Sequence, residues 1–172
     1  MIAKEGFPFV LGALAVFLVL VIFPVKLIIF VTGLFCVFCL WFFRDPERSI
    51  PPYNDIIVSP ADGKVIEVIP YETEDGPYTK VSIFMNVFNV HVNRMPIGGT
   101  ILEVEHRPGK FLPADRPDAS YENEQNLILI DTVYRKVLVK QVAGLIARRT
   151  VCYAKAGDIL PIGDRLGIIR LS

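Results

Sequence analysis

Residues 127–142 read Leu-Ile-Leu-Ile-Asp-Thr-Val-Tyr-Arg-Lys-Val-Leu-Val-Lys-Gln-Val. Two short runs rich in aliphatic and β-branched residues, Leu127–Asp131 and Lys136–Val142, are separated here by only four residues. Each run is too short for a typical helix and has the composition of a β-strand. This stretch therefore predicts two neighbouring strands.

The same pattern recurs on both sides of this stretch, and after residue 56 no helical periodicity is sustained over three turns. Gly, Pro, Asp and Asn separate the runs. The further predicted strands are Ile56–Val58, Lys64–Ile69, Lys80–Met85, Phe88–Met95, Thr100–Val104, Thr150–Ala154 and Leu166–Leu171. Regular short strands with such breaks predict a mainly β domain over residues 56–172, a compact sandwich or barrel.

The N-terminal part has a different character. Phe7–Phe43 is a run of 37 residues whose only charged residue is Lys26. One membrane span needs roughly 20 apolar residues, so the run is too long for a single span. Pro24 interrupts it near the middle. We expect two helical segments, Phe7–Phe23 and Leu27–Phe43, that form a hydrophobic hairpin; a single tilted span is the alternative.

Basic residues flank this run at both ends, with Lys4 before it and Arg44 and Arg48 after it. Positive flanks on both sides favour two termini in the cytoplasm. We expect residues 1–43 to associate with the cell membrane and the β domain to lie on its cytoplasmic face. Residues 44–55 are rich in proline and are predicted to be a non-helical linker.

Charge and metal-binding residues exclude several classes of function. Lysines plus arginines and aspartates plus glutamates number 18 each, so no basic field favours nucleic acid as a partner. Two histidines and three cysteines, two of them in the hydrophobic run, do not make a zinc constellation. No metal is expected.

Two short motifs carry candidate chemistry. In the predicted strand Phe88–Met95, alternation places Asn89, His91 and Asn93 on one face. Asparagine is disfavoured in strands, so this polar stripe indicates a site. Asp62 lies in an Asp-Gly turn, which is structural unless its carboxylate meets His91 in space.

At this point four separated motifs, in order, resemble those of phosphatidylserine decarboxylases of the short, prokaryotic type. They are Phe42–Arg48, Ser59–Gly63, Val90–Pro96, and Gln141–Gly144 running into Gly163–Arg170. The resemblance extends over essentially the whole chain. It implies a lyase that converts phosphatidylserine to phosphatidylethanolamine in phospholipid biosynthesis.

The resemblance also implies a proenzyme that cuts itself before a serine. That serine becomes a pyruvoyl group on a small α chain, while the large β chain stays with the membrane. Ser172 would be the residue before the cut, so the chain resembles a mature β chain that forms a heterodimer with the α chain. The β pattern of Gly163–Ser172 stops without a turn or cap, as expected of a chain that continued further. Alternatively, Ser172 is itself the reactive serine.

Roles for individual residues follow from the resemblance. His91 would take the proton of the attacking serine, and Asp62 would fix its imidazole. In decarboxylation the pyruvoyl ketone would form a Schiff base with the substrate amine and delocalise the carbanion. His91 would then protonate that carbanion. Many members of the family carry a second histidine where this chain has Arg94, so either one histidine would serve both steps or a water or another group would perform one of them.

The headgroup of the substrate predicts further contacts. Its phosphodiester should meet a cation, for which Arg94, Lys110 and Arg116 are candidates, and Asn89 and Asn93 would bind substrate beside His91. Two other functions stay open. One is decarboxylation of the archaeal ether-lipid analogue, archaetidylserine. The other is a non-enzymatic, membrane-anchored carrier or adaptor domain, although Met85 and Met95 do not flank a lysine, as a carrier would require.

Overall fold

The computed structural model describes residues 1–22, 26–53, 56–73 and 76–172. These residues form two compact units, Met1–Arg48 and Ser49–Ser172. The first unit is helical and the second is mainly β, which confirms the predicted fold class. The proposed break at Pro24, and the last residues of the 44–55 linker, lie outside the described residues.

The first unit is a pair of apolar helices, α1 (Phe7–Ile22) and α2 (Lys26–Phe42), preceded by a 3₁₀ turn at Lys4–Gly6. The start of the chain pairs with the end of α2, because Ala3 N donates to Phe43 O at 2.8 Å and Asp45 N donates to Met1 O. The two helices are therefore antiparallel.

Close packing supports the hairpin at its base, where the rings of Phe9 and Phe43 stack with centroids 5.2 Å apart. Lys4–Ile22 is long and apolar enough to cross a bilayer, and α2 is a shorter apolar helix. The outward side chains of both helices are exposed and aliphatic or aromatic. These features weakly suggest membrane association.

The second unit contains nine strands and one short helix, α3 (Ala119–Glu122), within the described residues. The strands are β1 (Lys64–Thr73), β2 (Gly76–Phe84), β3 (Val92–Arg94), β4 (Gly99–Arg107), β5 (Gln125–Asp131), β6 (Val137–Val142), β7 (Arg149–Cys152), β8 (Ile159–Leu160) and β9 (Arg165–Arg170). They form a β1–β2 ribbon, a β3–β9–β7 sheet and a β6–β5–β4–β8 sheet.

The core lies between the larger sheets and is made of aliphatic side chains. Ile101, Ile128, Ile130, Leu166 and Met95 are fully buried and pack in one cluster. They come from β4, β5, β9 and the end of β3, so alternate residues of the two sheets face each other. All pairings between strands are antiparallel.

Several strand predictions need correction. Ile56–Val58 forms no strand, and Phe88–Met95 contains only the three-residue β3. Sequence reasoning missed β8 and α3. It also predicted β1 and β2 to be shorter than they are. β1 is exposed along almost its whole length, so burial does not mark its ends, and only β2 alternates between exposed and half-buried residues.

Candidate active site

Two segments that are distant in sequence run side by side and bring Asp62 to Val90, the residue before His91. Val58 N donates to Pro96 O, and Arg94 N donates to Pro60 O, both at 2.9 Å. The next contact in this antiparallel series is made by a side chain, because Val90 N donates to Asp62 Oδ2 at 3.2 Å. The Asp62 carboxylate is therefore held one residue along the backbone from His91.

Gly63 makes this arrangement possible. Its φ is +146°, and a Cβ at this position would lie 2.3 Å from Phe84 O. Only glycine adopts this conformation without strain and allows so close an approach of two backbones. The Asp-Gly pair thus has a structural role, the tight turn into β1, and it also places the carboxylate of Asp62.

His91 is 3% exposed and lies beside the last residues of β9. Ile169 N donates to His91 O at 3.1 Å. His91 Nδ1 is 3.0 Å from Asn89 O. Because a carbonyl oxygen only accepts hydrogen bonds, Nδ1 carries the proton and Nε2 carries the lone pair. The neutral imidazole therefore has the tautomer of a general base at Nε2.

The predicted polar stripe is wrong in its geometry. Residues before β3 form a turn, in which Asn89 N donates to Asn86 O and Asn86 N donates to Asn89 Oδ1. Val90, His91, Val92 and Asn93 are all buried, so no solvated face alternates with an apolar one. The carbonyl of Asn89, rather than a stripe of side chains, orients His91.

Asn93 belongs to a buried chain of amides that links the two larger sheets. Gln141 Nε2 donates to Asn93 Oδ1 at 2.9 Å. Asn126 Nδ2 donates to Gln141 Oε1 at 3.1 Å. All three side chains are at most 4% exposed. At the outer end His106 Nδ1 donates to Asn126 Oδ1 at 2.8 Å.

This chain of amides leaves one end of Asn93 directed away from it. Asn93 Nδ2 donates only weakly, to Met85 Sδ at 3.8 Å. A thioether is a weak acceptor. Asn93 therefore offers N–H groups that a stronger acceptor, such as a carboxylate or an oxyanion, could use.

A glycine in β9 gives Gln141 room to reach Asn93. Gly167 pairs with Asn93 across the sheet. A Cβ on Gly167 would lie 2.2 Å from Val151 O and 2.7 Å from Gln141 Nε2. Any other residue at position 167 would displace the strand or the amide chain.

On its other side β9 pairs with β7, next to a buried carboxylate. Glu124 is 2% exposed. It accepts from Thr150 N at 3.0 Å and from Arg149 Nη1 at 2.5 Å. Thr150 pairs with Ile169, and its Oγ1 is buried with no hydrogen-bond partner among the described residues. We call this region, where β9 leaves the sheet between His91 and Thr150, the β9 end.

The predicted cations occupy different places. Arg94 Nη1 donates to Gly163 O at 3.0 Å, beside the start of β9 rather than the β9 end. Lys110 pairs with Glu122, and this hydrogen bond raises the lysine pKa. Arg116 likewise pairs with Asp118, which raises the arginine pKa. Both pairs are exposed at the surface. Ser172 is exposed, two residues beyond β9.

Sequence reasoning missed Glu124, Asn126 and Gln141 as residues of this region. The signal was present in the run Asn123–Asn126, four polar residues directly before an apolar strand. All four are buried. In Gln141 the signal was weaker, because one polar residue in a strand is usually solvated.

Comparison with known proteins shows the family to which the chain belongs. A family model described as phosphatidylserine decarboxylase matches residues 35–172. A phosphatidylserine decarboxylase proenzyme of Magnetococcus marinus is 45% identical, with 99% of this chain and 80% of the relative covered. Relatives of the same name from Syntrophus aciditrophicus and Geobacter metallireducens are each 46% identical, with 98% of this chain and 82% and 81% of the relatives covered.

The family model and the relatives, which are matched over most of their length, show that the chain is an enzyme, a carboxy-lyase. The chain belongs to the phosphatidylserine decarboxylase family. The alternative of a non-enzymatic carrier or adaptor is therefore set aside. Within the described residues no group of His, Cys, Asp and Glu is arranged to hold a metal.

Proposed function

We propose that this phosphatidylserine decarboxylase is pyruvoyl-dependent and is made as a proenzyme that cuts itself after Ser172. The chain would then be the β chain, with the pyruvoyl group at the start of a small α chain. The relatives are named proenzymes, and this chain covers 80–82% of their length. That remainder is enough for a small second chain.

The observation that carries this proposal is the position of His91. Its Nε2 has the lone pair of a base, and its backbone is bonded to Ile169, three residues before Ser172. Thr150 Oγ1, buried and without a partner among the described residues, lies on the other side of the same strand. A reactive carbonyl group at the β9 end would therefore meet a base on one side and a hydroxyl on the other.

In self-cleavage, His91 would remove the proton from the hydroxyl of the residue after Ser172. That oxygen attacks the carbonyl carbon of Ser172, and the amide nitrogen leaves with a proton, so an ester replaces the peptide bond. Removal of the α-proton would then break the ester C–O bond, so the β chain keeps a carboxylate and the α chain begins with dehydroalanine, which water would hydrolyse to the pyruvoyl group with loss of ammonia. Asp62 would hold the segment that carries His91, through Val90 N.

In decarboxylation, the pyruvoyl group supplies a carbonyl that accepts the electron pair left when carbon dioxide departs. His91, once protonated at Nε2, would donate a proton to the substrate carbon in place of the departed carbon dioxide. Asn93, whose Nδ2 has only a thioether partner at 3.8 Å, would donate to the substrate carboxylate or phosphate. Asn89 would position His91 through its carbonyl.

The proposal also covers the cations that would contact the substrate and the location of the enzyme in the cell. Lys110 lies on the loop that pairs with Glu122 and Glu124, next to the β9 end, and would attract the anionic headgroup. Arg94 is proposed as a more remote cation of the same site. The hydrophobic hairpin would hold the enzyme at the cytoplasmic face of the cell membrane.

Replacement of His91 tests this proposal. We expect His91→Ala to accumulate uncut proenzyme, because no other histidine lies at the β9 end. His106→Ala is the matched control: it removes the second histidine of the chain, which is exposed and whose side chain, among the described residues, bonds only to the outer end of the amide chain, and it should be cut normally. Electrophoresis and intact mass of both variants of the full-length gene product give the answer. Normal cleavage of His91→Ala would show that His91 is not the base.

A further inference from the structure

A turn close to the β9 end exposes two large aliphatic side chains. Gly144 N donates to Ala147 O at 2.8 Å and closes the turn Gly144–Ala147. Leu145 is 49% exposed and Ile146 is 53% exposed at its tip. Turn tips ordinarily carry Gly, Pro, Asn, Asp or Ser, which hydrogen-bond to water or to their own backbone. Two adjacent aliphatic residues at such a tip are therefore unusual.

An arginine without an ion-pair partner follows the turn. Arg148 Nε donates to Leu145 O at 2.8 Å, and its guanidinium lies 5.8 Å from the ring centroid of Phe111. Among the described residues Arg148 forms no ion pair, whereas Lys110, Arg116 and Arg149 each have a carboxylate partner. The turn thus combines an apolar tip with one uncompensated positive charge.

The position of the turn connects it with catalysis. Ala143 N donates to Glu124 O, and Glu124 in turn accepts from Thr150 N beside β9. Arg149, the first residue of β7, pairs with Arg170 at the end of β9. The turn therefore lies at the same end of the domain as His91 and the proposed cleavage site.

A second turn of similar composition lies at the opposite end of β6. Residues 132–136 join β5 to β6 and expose Val133 (91%) and Tyr134 (62%), followed by Arg135. The register pairs Ile130 with Val137 at this end of the two strands. The distal turn is therefore separated from the Gly144–Ala147 turn by the length of β6, roughly 20 Å. It has a similar composition but lies away from the site.

We propose that the turn Gly144–Ala147, together with Arg148, docks into the surface of a bilayer that contains anionic phospholipid. Leu145 and Ile146 enter the region below the headgroups, and Arg148 stays at the level of the phosphates, as amphipathic side chains do at interfaces. This inference rests on the proposed function, because a membrane phospholipid must reach the β9 end. Docking there would bring the headgroup to the site without removing the lipid from the bilayer.

Two partners other than a bilayer could cover the tip of this turn, and each would place Leu145 and Ile146 in a different environment. The segment that follows Ser172 in a proenzyme, or a second copy of the chain, could cover the same apolar tip. Either would bury Leu145 and Ile146 in protein, away from acyl chains. The anionic surface is favoured because Arg148 has no carboxylate partner and because the tip is small, two side chains on a single turn.

Fluorescence in reconstituted vesicles distinguishes these cases. The full-length protein, with Cys36, Cys39 and Cys152 replaced by Ala, is labelled with an NBD probe at Ile146→Cys or, as the matched control, at Val133→Cys. In vesicles with anionic lipid we expect blue-shifted emission at position 146 and quenching by nitroxides on the acyl chains, and neither at position 133. Blue-shifted emission without quenching would mean a protein occupant and would overturn the inference, as would an unshifted probe.

Kinetics separate the failure of this inference from the failure of the proposed function. The double variant Leu145→Ser, Ile146→Ser should lose activity on phosphatidylserine in vesicles relative to a monomeric, short-chain phosphatidylserine. Arg148→Glu should weaken vesicle use about fivefold for each unit of charge changed, less at high salt. An unchanged ratio would overturn the docking surface alone. Absence of decarboxylation of either substrate by the parent protein would overturn the proposed function.

Discussion

At the scale of single residues, the site depends on hydrogen bonds whose direction the chemistry fixes. A carbonyl oxygen accepts the Nδ1 proton of His91, so Nε2 is basic. Gln141 donates to Asn93 and accepts from Asn126. The motifs in the sequence predicted His91 and Asp62 as candidates. They could not predict Gln141 as the partner of Asn93, because 48 residues separate the two and only the packing of two sheets joins them.

Substitution of Gln141 tests the amide chain. Gln141→Leu leaves Asn93 Oδ1 and Asn126 Nδ2 buried without a partner, which should lower the free energy of unfolding by about 1–3 kcal/mol for each group. Gln141→Glu keeps the shape, but an ionised carboxylate cannot donate to Asn93. Protonation restores the donor, so decarboxylation by Gln141→Glu should rise relative to wild type as the pH falls. Equal pH profiles would show that Gln141 does not position Asn93.

At the scale of the elements, short strands with one buried face were predicted well and the segments between them were not. The runs at Leu127–Asp131 and Lys136–Val142 correspond to β5 and β6 within two residues. The alternation predicted through Phe88–Asn93 failed because tertiary hydrogen bonds to Asp62 and Ile169 hold that backbone, and residues 90–93 are buried on both faces. Periodicity carries no information about a segment that is buried on every side.

A substitution in β9 tests the close approach of the strands. Gly167→Ala places a Cβ against Val151 O and Gln141 Nε2. Such overpacking should lower the free energy of unfolding by about 1–3 kcal/mol and impair cleavage. In Gly98→Ala, the control, the new Cβ meets its nearest atom at 3.5 Å, an ordinary contact. Thermal unfolding of both variants checks this, and equal melting temperatures would contradict it.

At the scale of the whole molecule, composition alone divided the chain into an apolar helical part and a mixed β part. The division follows from hydropathy, which requires no knowledge of the fold. The docking turn could not be predicted, since Leu145 and Ile146 read as ordinary core residues until the structure exposes them. The proposed membrane location, cleavage and reactive carbonyl depend on one another, because a phospholipid decarboxylase with its site at the β9 end would need all three.

The intact mass of the full-length gene product tests the central claim most directly. We expect two chains, the larger ending at Ser172 and the smaller with a blocked N-terminus that reacts with carbonyl reagents. His91→Ala should give one uncut chain whose mass, after allowance for the substitution, equals the sum of the two wild-type chains plus the ammonia released and minus the water taken up in processing. A single uncut chain that still decarboxylates phosphatidylserine would contradict the account.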